Sequence, residues 1–198
     1  MTLALTPLPL VLASTSPFRR ELLLRLQVNF TQDSPQTDET PLAGENCEQL
    51  CLRLAVAKAN ALTEKYPTHL IIGSDQVATF QGEMIGKPIT HANAVQQLSR
   101  FSGQQVDFYT AICLLNSQTG LFQTHTEKFS VYFRELTAAQ IERYLIAEQP
   151  YQCAGSFKSE GLGICLFERL EGDDPTSLIG LPLIRLVTML QNEGIFVP

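Results

Sequence analysis

The alternation of short apolar runs with helical patterns constrains the fold of this chain most strongly. Residues 8–13 predict a buried strand, and residues 70–72 predict a central strand that stops at residues 73–75. Between these strands, residues 47–66 carry the longest helical pattern of the chain. Strands and helices stay interleaved to the end, so we predict a mixed α/β fold that forms a single domain over residues 1–198.

Caps and turn residues delimit the other predicted elements. Thr90 caps a helix that runs to about Phe101 and closes at Gly103. Thr137 and Gln140 form a capping box. The remaining predictions are a helix that begins at Ser16-Pro17 and ends near Gln27, a polar loop over residues 31–46, paired strands over residues 106–116 and 121–133, a helix that ends before Pro150, a Gly-rich loop over residues 155–163 that leads into a strand over residues 164–167, and a last helix over residues 183–192.

The composition indicates a folded protein that does not bind nucleic acid as a polymer. Hydrophobic residues make up 44% and charged residues 17% of the chain, which is typical of globular domains. A net charge of −6 lacks the basic face that neutralises a phosphate backbone, although a few local cations can hold a small anion. No stretch has the length of a membrane span, and residues 1–13 contain two prolines and lack the basic segment of a signal peptide.

The five cysteines indicate a reducing compartment. Their number is odd, their spacing forms no disulfide framework, and Cys47 and Cys51 have no second ligand pair that would complete a zinc site. We therefore expect reduced, mostly buried thiols and a cytoplasmic protein. The cysteines are Cys47, Cys51, Cys113, Cys153 and Cys165.

Lys58 lies on the apolar side of the long helical pattern. It shares this side with Leu54 and Leu62, whereas Arg53 and Glu64 share the opposite face. An ammonium group that is buried without a partner is costly. Two interpretations stay open: the side chain extends past the edge of the core to water, or it points into a cleft and holds phosphate.

Asp75 follows the apolar run of the predicted central strand. The carboxyl ends of strands are where ligand crevices form in α/β sheets, and an aspartate that caps a turn is the alternative interpretation. Glu39, in the polar loop, and Lys87, in Gly86-Lys87-Pro88, look like solvated charges when each is considered alone.

The hydroxyl-rich turn over residues 14–17 predicts an anion site at the start of the first helix. Unpaired N–H groups at a helix N-terminus, serine hydroxyls and the guanidinium groups of Arg19 and Arg20 all favour a bound phosphate. A serine cap without any ligand is the alternative. No pair of nucleophile and base emerges, so a metal-activated water is the expected nucleophile.

Six short motifs follow one another along nearly the whole chain. They are Leu12-Ala13-Ser14-Thr15-Ser16-Pro17, Asp38-Glu39-Thr40, Arg53-Leu54-Ala55 with Lys58-Ala59, Gly73-Ser74-Asp75, Gly86-Lys87-Pro88 and Gly180-Leu181-Pro182-Leu183. In this order they resemble the Maf-like nucleotide pyrophosphatases, which cut a nucleoside triphosphate between its α- and β-phosphates. The resemblance implies an elongated, twisted mixed sheet flanked by helices, similar to inosine triphosphatases, with two lobes and a cleft. It also implies a divalent cation, Mg²⁺ or Mn²⁺, and a homodimer.

The resemblance also implies roles for single residues. It assigns catalysis to Asp75, Glu39, Lys58 and Lys87, phosphate binding to Ser14 and Arg19, and metal binding to Glu39 and Asp75. In this scheme Asp75 takes a proton from the attacking water, and the two lysines neutralise the triphosphate. Arg20 falls on a position that varies within the family.

Phe18, Gln76 and Glu160 depart together from the commonest pattern of the family, which has arginine, threonine and glutamine there. The combination resembles the 7-methyl-GTP pyrophosphatase branch, although tryptophan in place of Phe18 would match that branch better. An aromatic face attracts the positively charged 7-methylguanine, and a carboxylate accepts hydrogen bonds from its N1–H and amino group. We therefore expect hydrolysis of 7-methyl-GTP to 7-methyl-GMP and pyrophosphate.

Three alternatives to this interpretation stay open. Phe18 precedes Leu22 and Leu26 at helical spacing, so it also fits the start of a core stripe. A related enzyme would hydrolyse dTTP or UTP, which arginine and glutamine at the positions of Phe18 and Glu160 would favour. A nucleotide-binding regulator of cell division would bind nucleotide without releasing pyrophosphate.

Overall fold

A single mixed sheet of seven strands forms the centre of the protein. The computed structural model describes residues 8–197, and the sheet has the order β2-β1-β3-β5-β6-β7, with β4 paired to β3 beside this path. The strands are β1 (Leu10–Ala13), β2 (Phe30–Asp33), β3 (Leu70–Phe80), β4 (Glu83–Ile85), β5 (Gln105–Asn116), β6 (Phe122–Phe133) and β7 (Phe167–Glu171). Strand β1 is parallel to β2 and β3, whereas the other pairings are antiparallel.

Helices flank this sheet, which confirms the predicted mixed α/β fold. They are α1 (Pro17–Leu24), α2 (Cys47–Asn60), α3 (His91–Phe101), α4 (Ala138–Glu148), α5 (Pro175–Ile179) and α6 (Leu183–Asn192), and 3₁₀ turns occur at Ala154–Ser156 and Leu162–Leu166. Thr90 caps α3 by accepting a hydrogen bond from the backbone of Asn93. Thr137 and Gln140 form the predicted capping box of α4. These local signals act over three residues, so the sequence alone is sufficient to place them.

Strand β3 has a gap along one of its edges. Strand β1 pairs with it over residues 70–73 and β4 over residues 78–80. Between these pairings, residues 74–77 have no strand beside them on that edge within the described chain, although β5 stays paired with them on the other edge. The gap leaves space beside Asp75, in the middle of the strand.

Two layers of helices cover the half of the sheet that contains β1. Helix α2 packs on one face, where Leu54 and Ile71 belong to one buried cluster. Helices α1 and α6 pack on the other face, where Leu23, Ile72 and Leu186 belong to a second cluster. Ile71 and Ile72 reach opposite faces because successive side chains of a strand alternate.

A third buried cluster fills the other half of the sheet. It includes residues of α3 and α4 together with the second half of β3 and the first half of β5. The rings of Phe101 and Phe133 lie 5.5 Å apart, and those of Phe133 and Phe157 lie 5.8 Å apart, which are normal distances for aromatic packing. The protein thus has three buried clusters on one continuous sheet.

Several predicted strand boundaries are wrong. Strand β3 does not stop at residues 73–75 but continues to Phe80, because β5 pairs with it throughout. Part of the predicted polar loop forms strand β2, whose polar sequence carries no strand signal because it lies at the edge of the sheet. The predicted strand over residues 164–167 is a 3₁₀ turn, and the chain enters β7 only at Phe167.

The helix bounds differ by smaller amounts. Helix α1 ends at Leu24 instead of Gln27, which has a positive φ of 54°, and α2 ends at Asn60 instead of residue 66. Helix α5 was not predicted because its five residues are too short for a periodic pattern. The first residues of the predicted N-terminal tail, 1–7, lie outside the described part of the chain.

The structure also bears on the predictions about cysteines and membranes. All five cysteines are free, with Cys51 and Cys113 buried, Cys47 and Cys153 partly buried, and Cys165 exposed. Within residues 8–197, no helix combines the length and the apolar character needed to cross a membrane.

Candidate active site

A cleft of about 1040 Å³ brings together all nine residues that the sequence predicts for the site. They come from six separate segments of the chain and are Ser14, Phe18, Arg19, Glu39, Lys58, Asp75, Gln76, Lys87 and Glu160. Arg20, which the sequence left as a weaker candidate, is exposed and does not line the cleft. We call Ser14, Arg19, Lys58 and Asp75 the inner cluster, and Phe18, Lys87 and Glu160 the outer rim.

Lys58 joins two carboxylates at the floor of the cleft. Its Nζ lies 2.5 Å from Oδ1 of Asp75 and 2.7 Å from Oε1 of Glu39. The side chains of Lys58 and Asp75 are 9% and 11% exposed, whereas that of Glu39 is 61% exposed. Of the two interpretations of Lys58, the structure therefore favours the one in which it points into a cleft.

Gly73 allows α2 to approach β3 closely enough for this contact. A Cβ atom at position 73 would lie 2.1 Å from the carbonyl oxygen of Ala55 and 2.8 Å from the backbone nitrogen of Ala59, which is closer than packed atoms allow. Asp75 follows two residues later on the same face of the strand. The missing side chain at Gly73 thus lets Lys58 reach the carboxylate of Asp75.

The gap in the edge of β3 explains why Asp75 faces the cleft, although the predicted end of the strand there is wrong. Asp75 lies opposite Ala111 of β5 within a continuous ladder, so it is not a turn residue. On its free edge the strand borders the cleft rather than another strand. Asp75 occupies an internal position of the strand, where its negative charge would be buried without a partner. The ion pair with Lys58 compensates this charge.

The cations of the cleft outnumber the two carboxylates at its floor. The hydrogen bond from Lys58 lowers the pKa of Glu39, and the charges of Lys87 and Arg19 act in the same direction. Lys58, Lys87 and Arg19 therefore surround Glu39 and Asp75 with one more positive than negative charge. Such a surplus within an acidic protein suits a small polyanion.

Ser14 and Arg19 lie at the start of α1, where the sequence predicts an anion site. The hydroxyl of Ser14 accepts a hydrogen bond from the backbone of Ser16, and Ser16 accepts one from the backbone of Arg19 as the N-cap of α1. The side chain of Arg19 donates from Nε to the carbonyl of Gly180 at 2.8 Å. Burial lowers the pKa of Arg19 from its usual value, while Asp75 and Glu39 oppose this change.

Gly180 holds Arg19 from a distant part of the chain. Its carbonyl oxygen also accepts a hydrogen bond from the hydroxyl of Ser74, at 3.0 Å. Gly180 has a φ of +126°, a conformation that other residues rarely adopt, at the end of α5. The first residue of the Gly180-Leu181-Pro182-Leu183 motif therefore orients the guanidinium of Arg19 toward the cleft.

Two residues of the outer rim, Lys87 and Glu160, are more exposed than the inner cluster. Lys87 is exposed and has no ion-pair partner within residues 8–197, and Glu160 accepts one hydrogen bond of 3.4 Å, from the hydroxyl of Ser159. Phe18 is partly buried in the first turn of α1. The backbone of Ile89 donates to the carbonyl of Tyr151 at 3.0 Å and so links the segment of Lys87 to the segment before the Gly-rich loop.

Gln76 lines the cleft, but its amide group already has partners in the protein. Its Nε2 donates to Oγ1 of Thr110 at 3.0 Å and lies within hydrogen-bond distance of the carbonyls of Ser177 and Leu178. These contacts connect β3 to α5. Gln76 therefore supports the element that ends at Gly180, and its donors are not free for a ligand.

The cleft contains no obvious protein nucleophile among the described residues. No histidine lines it, and burial raises the pKa of its one cysteine, Cys153, to about 11. A thiol with such a pKa is protonated at neutral pH and a poor nucleophile. Cys153 is therefore not suited to act as a nucleophile.

The donor set at the floor of the cleft fits a hard divalent cation. The described residues contain no group of three or more His, Cys, Asp or Glu side chains suited to a metal. However, Glu39 and Asp75 converge on one cation, the ammonium of Lys58. Mg²⁺ is commonly bound by one or two carboxylates together with waters and substrate phosphates, and this pair of acids matches that pattern.

Sequence reasoning missed two groups of supporting residues. Arg53 and Glu45 form a salt bridge of 2.6 Å beside the loop of Glu39. Lys158, in the Gly-rich loop that carries Glu160, forms one of 3.1 Å with Glu148 at the end of α4. Arg53 belongs to one of the six motifs, which was the only available signal, whereas the other contacts join residues whose proximity depends on the tertiary fold.

Comparisons with known proteins give two findings. A family model described as "Maf-like protein" matches residues 9–193 of the chain. Among solved structures, the Ham1 protein of Staphylococcus aureus is similar over 78% of this chain and 89% of that chain, with 13% sequence identity and a TM-score of 0.46. This second likeness is too weak to support an inference about the chain.

Proposed function

We propose, from the premise that this chain belongs to the Maf-like protein family, that it is a nucleoside triphosphate pyrophosphatase. It hydrolyses 7-methyl-GTP between the α- and β-phosphates and yields 7-methyl-GMP and pyrophosphate. The observation that carries this proposal is the convergence of Glu39 and Asp75 on Lys58 in a cleft that also contains Arg19 and Lys87. Two acids and three cations provide both a base and the charge that a triphosphate requires.

Ser14, Arg19, Lys58 and Lys87 bind the triphosphate in this proposal. The hydroxyl of Ser14 and the backbone N–H of Phe18, in the first turn of α1, offer hydrogen bonds to phosphate oxygens. The guanidinium of Arg19, held by the carbonyl of Gly180, adds a fixed positive charge. Lys58 and Lys87 stabilise the negative charge that develops on the leaving pyrophosphate.

Asp75 orients the attacking water and accepts its proton. Asp75 is buried beside the cleft, and its ion pair with Lys58 fixes the position of its carboxylate. Glu39 and Asp75 would hold Mg²⁺ or Mn²⁺, which supplies charge neutralisation at the phosphates and a lower pKa for bound water. The α-phosphorus is attacked by water, the bond to the bridging oxygen breaks, and pyrophosphate leaves with that oxygen.

Phe18 and Glu160 select the base. N7-methylation makes guanine cationic, so the ring of Phe18 attracts it at the cleft wall by about 1–2 kcal/mol. Among the described residues, the carboxylate of Glu160 contacts only the hydroxyl of Ser159, at 3.4 Å, so it can accept from the guanine N1–H and amino group. Gln76 contributes indirectly, because its amide supports α5.

We propose in addition that the enzyme is cytoplasmic and forms a homodimer. The five free cysteines are consistent with a reducing compartment. The dimer is an expectation from the family resemblance alone. Sedimentation analysis of the purified protein tests it, and a single species with the mass of one 22.0 kDa chain would rule it out.

Release of pyrophosphate tests the proposed function directly. The assay compares 7-methyl-GTP, GTP, dTTP and UTP at equal concentrations with Mg²⁺ or Mn²⁺, and uses Asp75→Asn as the inactive control. A preference for 7-methyl-GTP supports the whole proposal, whereas a preference for dTTP or UTP retains the cleft chemistry and refutes the base selection. Tight nucleotide binding without any pyrophosphate would refute the enzymatic proposal and favour a regulatory protein.

A further inference from the structure

Arg53 makes contacts that the proposed reaction does not use. It lies on α2, five residues before Lys58, and its side chain is 30% exposed. Its Nε and Nη2 donate to the two carboxylate oxygens of Glu45 at 2.6 and 2.8 Å. Its Nη2 also donates to the carbonyl of Thr40 at 3.1 Å. A guanidinium that binds a carboxylate with two parallel hydrogen bonds has a well-defined orientation.

The Thr40 carbonyl belongs to the residue directly after Glu39. The same short segment is held by Glu45, whose Oε2 accepts a hydrogen bond of 3.0 Å from the backbone of Leu42. The side chain of Glu45 is only 8% exposed, since Arg53 and the loop cover it. Arg53 therefore attaches the backbone of the acidic loop, residues 34–46, to the helix that also carries Lys58.

We propose that Arg53 is a positioning residue that holds the carboxylate of Glu39 at Lys58 and Asp75. The inference rests on the proposed function, in which Glu39 and Asp75 hold the divalent cation. Within residues 8–197, Lys58 is the only side chain that pairs with Glu39, and Glu39 is 61% exposed. One contact at an exposed side chain is not enough to fix its orientation. The orientation of Glu39 therefore also depends on how its backbone is held, which Arg53 does through the carbonyl of Thr40, the next residue.

The environment of Arg53 separates this role from a general contribution to folding. Helix α2 already begins with a complete capping box between Asn46 and Gln49. Its buried face is formed by other side chains, such as Leu50 and Leu54, whereas Arg53 lies on the exposed side. We therefore expect Arg53→Ala to keep the fold and to release the loop.

The test measures binding of Mn²⁺ by electron paramagnetic resonance and turnover of 7-methyl-GTP in the same variants. Groups that support metal ligands typically contribute 10- to 100-fold, so Arg53→Ala should weaken Mn²⁺ binding and lower kcat by about 10- to 100-fold. Arg53→Lys should recover part of this loss, because an ammonium can still reach one acceptor but not both. Arg169→Ala is the matched control, since Arg169 pairs with Glu171 and stacks on Tyr132 away from the cleft.

A double-mutant comparison shows whether Arg53 acts through Glu39. If it does, Arg53→Ala has no further effect on Mn²⁺ affinity or kcat once Glu39→Gln is present. Fully additive losses, or an Arg53→Ala protein with wild-type affinity and turnover, overturn the inference. If the wild-type protein releases no pyrophosphate, the proposed function fails, and the Mn²⁺ affinities still decide the role of Arg53.

Discussion

The inner cluster and the outer rim differ in how far their charges are paired before a ligand binds. In the inner cluster, Lys58 lies 2.5 Å from Asp75 and Arg19 donates to the carbonyl of Gly180 at 2.8 Å. In the outer rim, Lys87 has no ion-pair partner within the described chain and Glu160 has only its neighbour Ser159. The inner cluster is thus organised by the protein itself, whereas the charges of the outer rim remain available to a ligand.

From this difference we expect the inner cluster and the outer rim to have different functions. Charges that the fold holds in place need no reorganisation when a reaction begins, so they contribute to the rate of the chemical step. Groups that find their partners only in a complex contribute to the choice between ligands. Changes in the inner cluster should therefore affect all nucleotides alike, and changes in the outer rim should alter their order of preference.

The largest effect is expected for Asp75→Asn. Loss of the base should lower kcat by about 100- to 10 000-fold for every nucleotide tested, because general base catalysis contributes that range. Lys58 keeps Glu39 as a partner, so the fold should persist, which circular dichroism and the melting temperature check. Asp107→Asn is the matched control, since Asp107 pairs with Lys128 at 3.0 Å outside the cleft. Wild-type turnover of Asp75→Asn would remove Asp75 from the mechanism.

Lys58→Met separates two roles of one ammonium group. Loss of its charge should lower kcat by about 100- to 1000-fold, as for other groups that stabilise transition-state charge. In the absence of nucleotide, however, the variant should bind Mn²⁺ more tightly than the wild type, since Glu39 and Asp75 then lack their shared cation. Isothermal titration with Mn²⁺ measures this change, and Lys128→Met is the control. Weaker Mn²⁺ binding by Lys58→Met would show that the two carboxylates do not form a metal site.

The sequence predicted the residues of the site better than the contacts among them. Local patterns placed the caps of α3 and α4 and the paired strands β5 and β6, because these signals extend over a few residues. The motif resemblance selected nine residues that line one cleft. In contrast, the hydrogen bond from the side chain of Arg19 to the carbonyl of Gly180 joins residues 161 positions apart, and no local pattern predicts it.

The errors at strands β2 and β3 share one cause, which is tertiary pairing that overrides local composition. Residues 73–75 have the composition of a turn, yet the ladder with β5 keeps them extended and Lys58 compensates the charge of Asp75. Strand β2 is polar because it lies at the sheet edge, where only one neighbouring strand is needed. Hydrophobic periodicity in a sequence indicates which side chains are buried. It therefore predicts edge strands and functional sites least well.

Phe18→Arg tests the aromatic part of the outer rim. Replacing an attractive ring by a cation should lower kcat/KM for 7-methyl-GTP by about 10- to 100-fold and leave that for dTTP within a few fold, since cation–π contacts contribute up to about 2 kcal/mol. Steady-state kinetics with both nucleotides measure the ratio. Phe18→Leu is the matched variant, because it keeps the apolar volume that a core stripe would need. Unchanged selectivity in Phe18→Leu, together with equal losses for both nucleotides in Phe18→Arg, would assign Phe18 to the core alone.

The smallest effect is expected for Glu160→Gln, which keeps the size of the side chain and removes its charge. Hydrogen bonds to a charged acceptor are roughly twice as strong as neutral ones, so the change should reduce the preference for 7-methyl-GTP over UTP by about 10-fold or less. Glu160 is exposed and has one weak partner, so the melting temperature should not change. Glu168→Gln, an exposed carboxylate on β7 near Arg134, is the control. A uniform loss of kcat across all nucleotides would instead place Glu160 with the inner cluster and would contradict the division between the inner cluster and the outer rim.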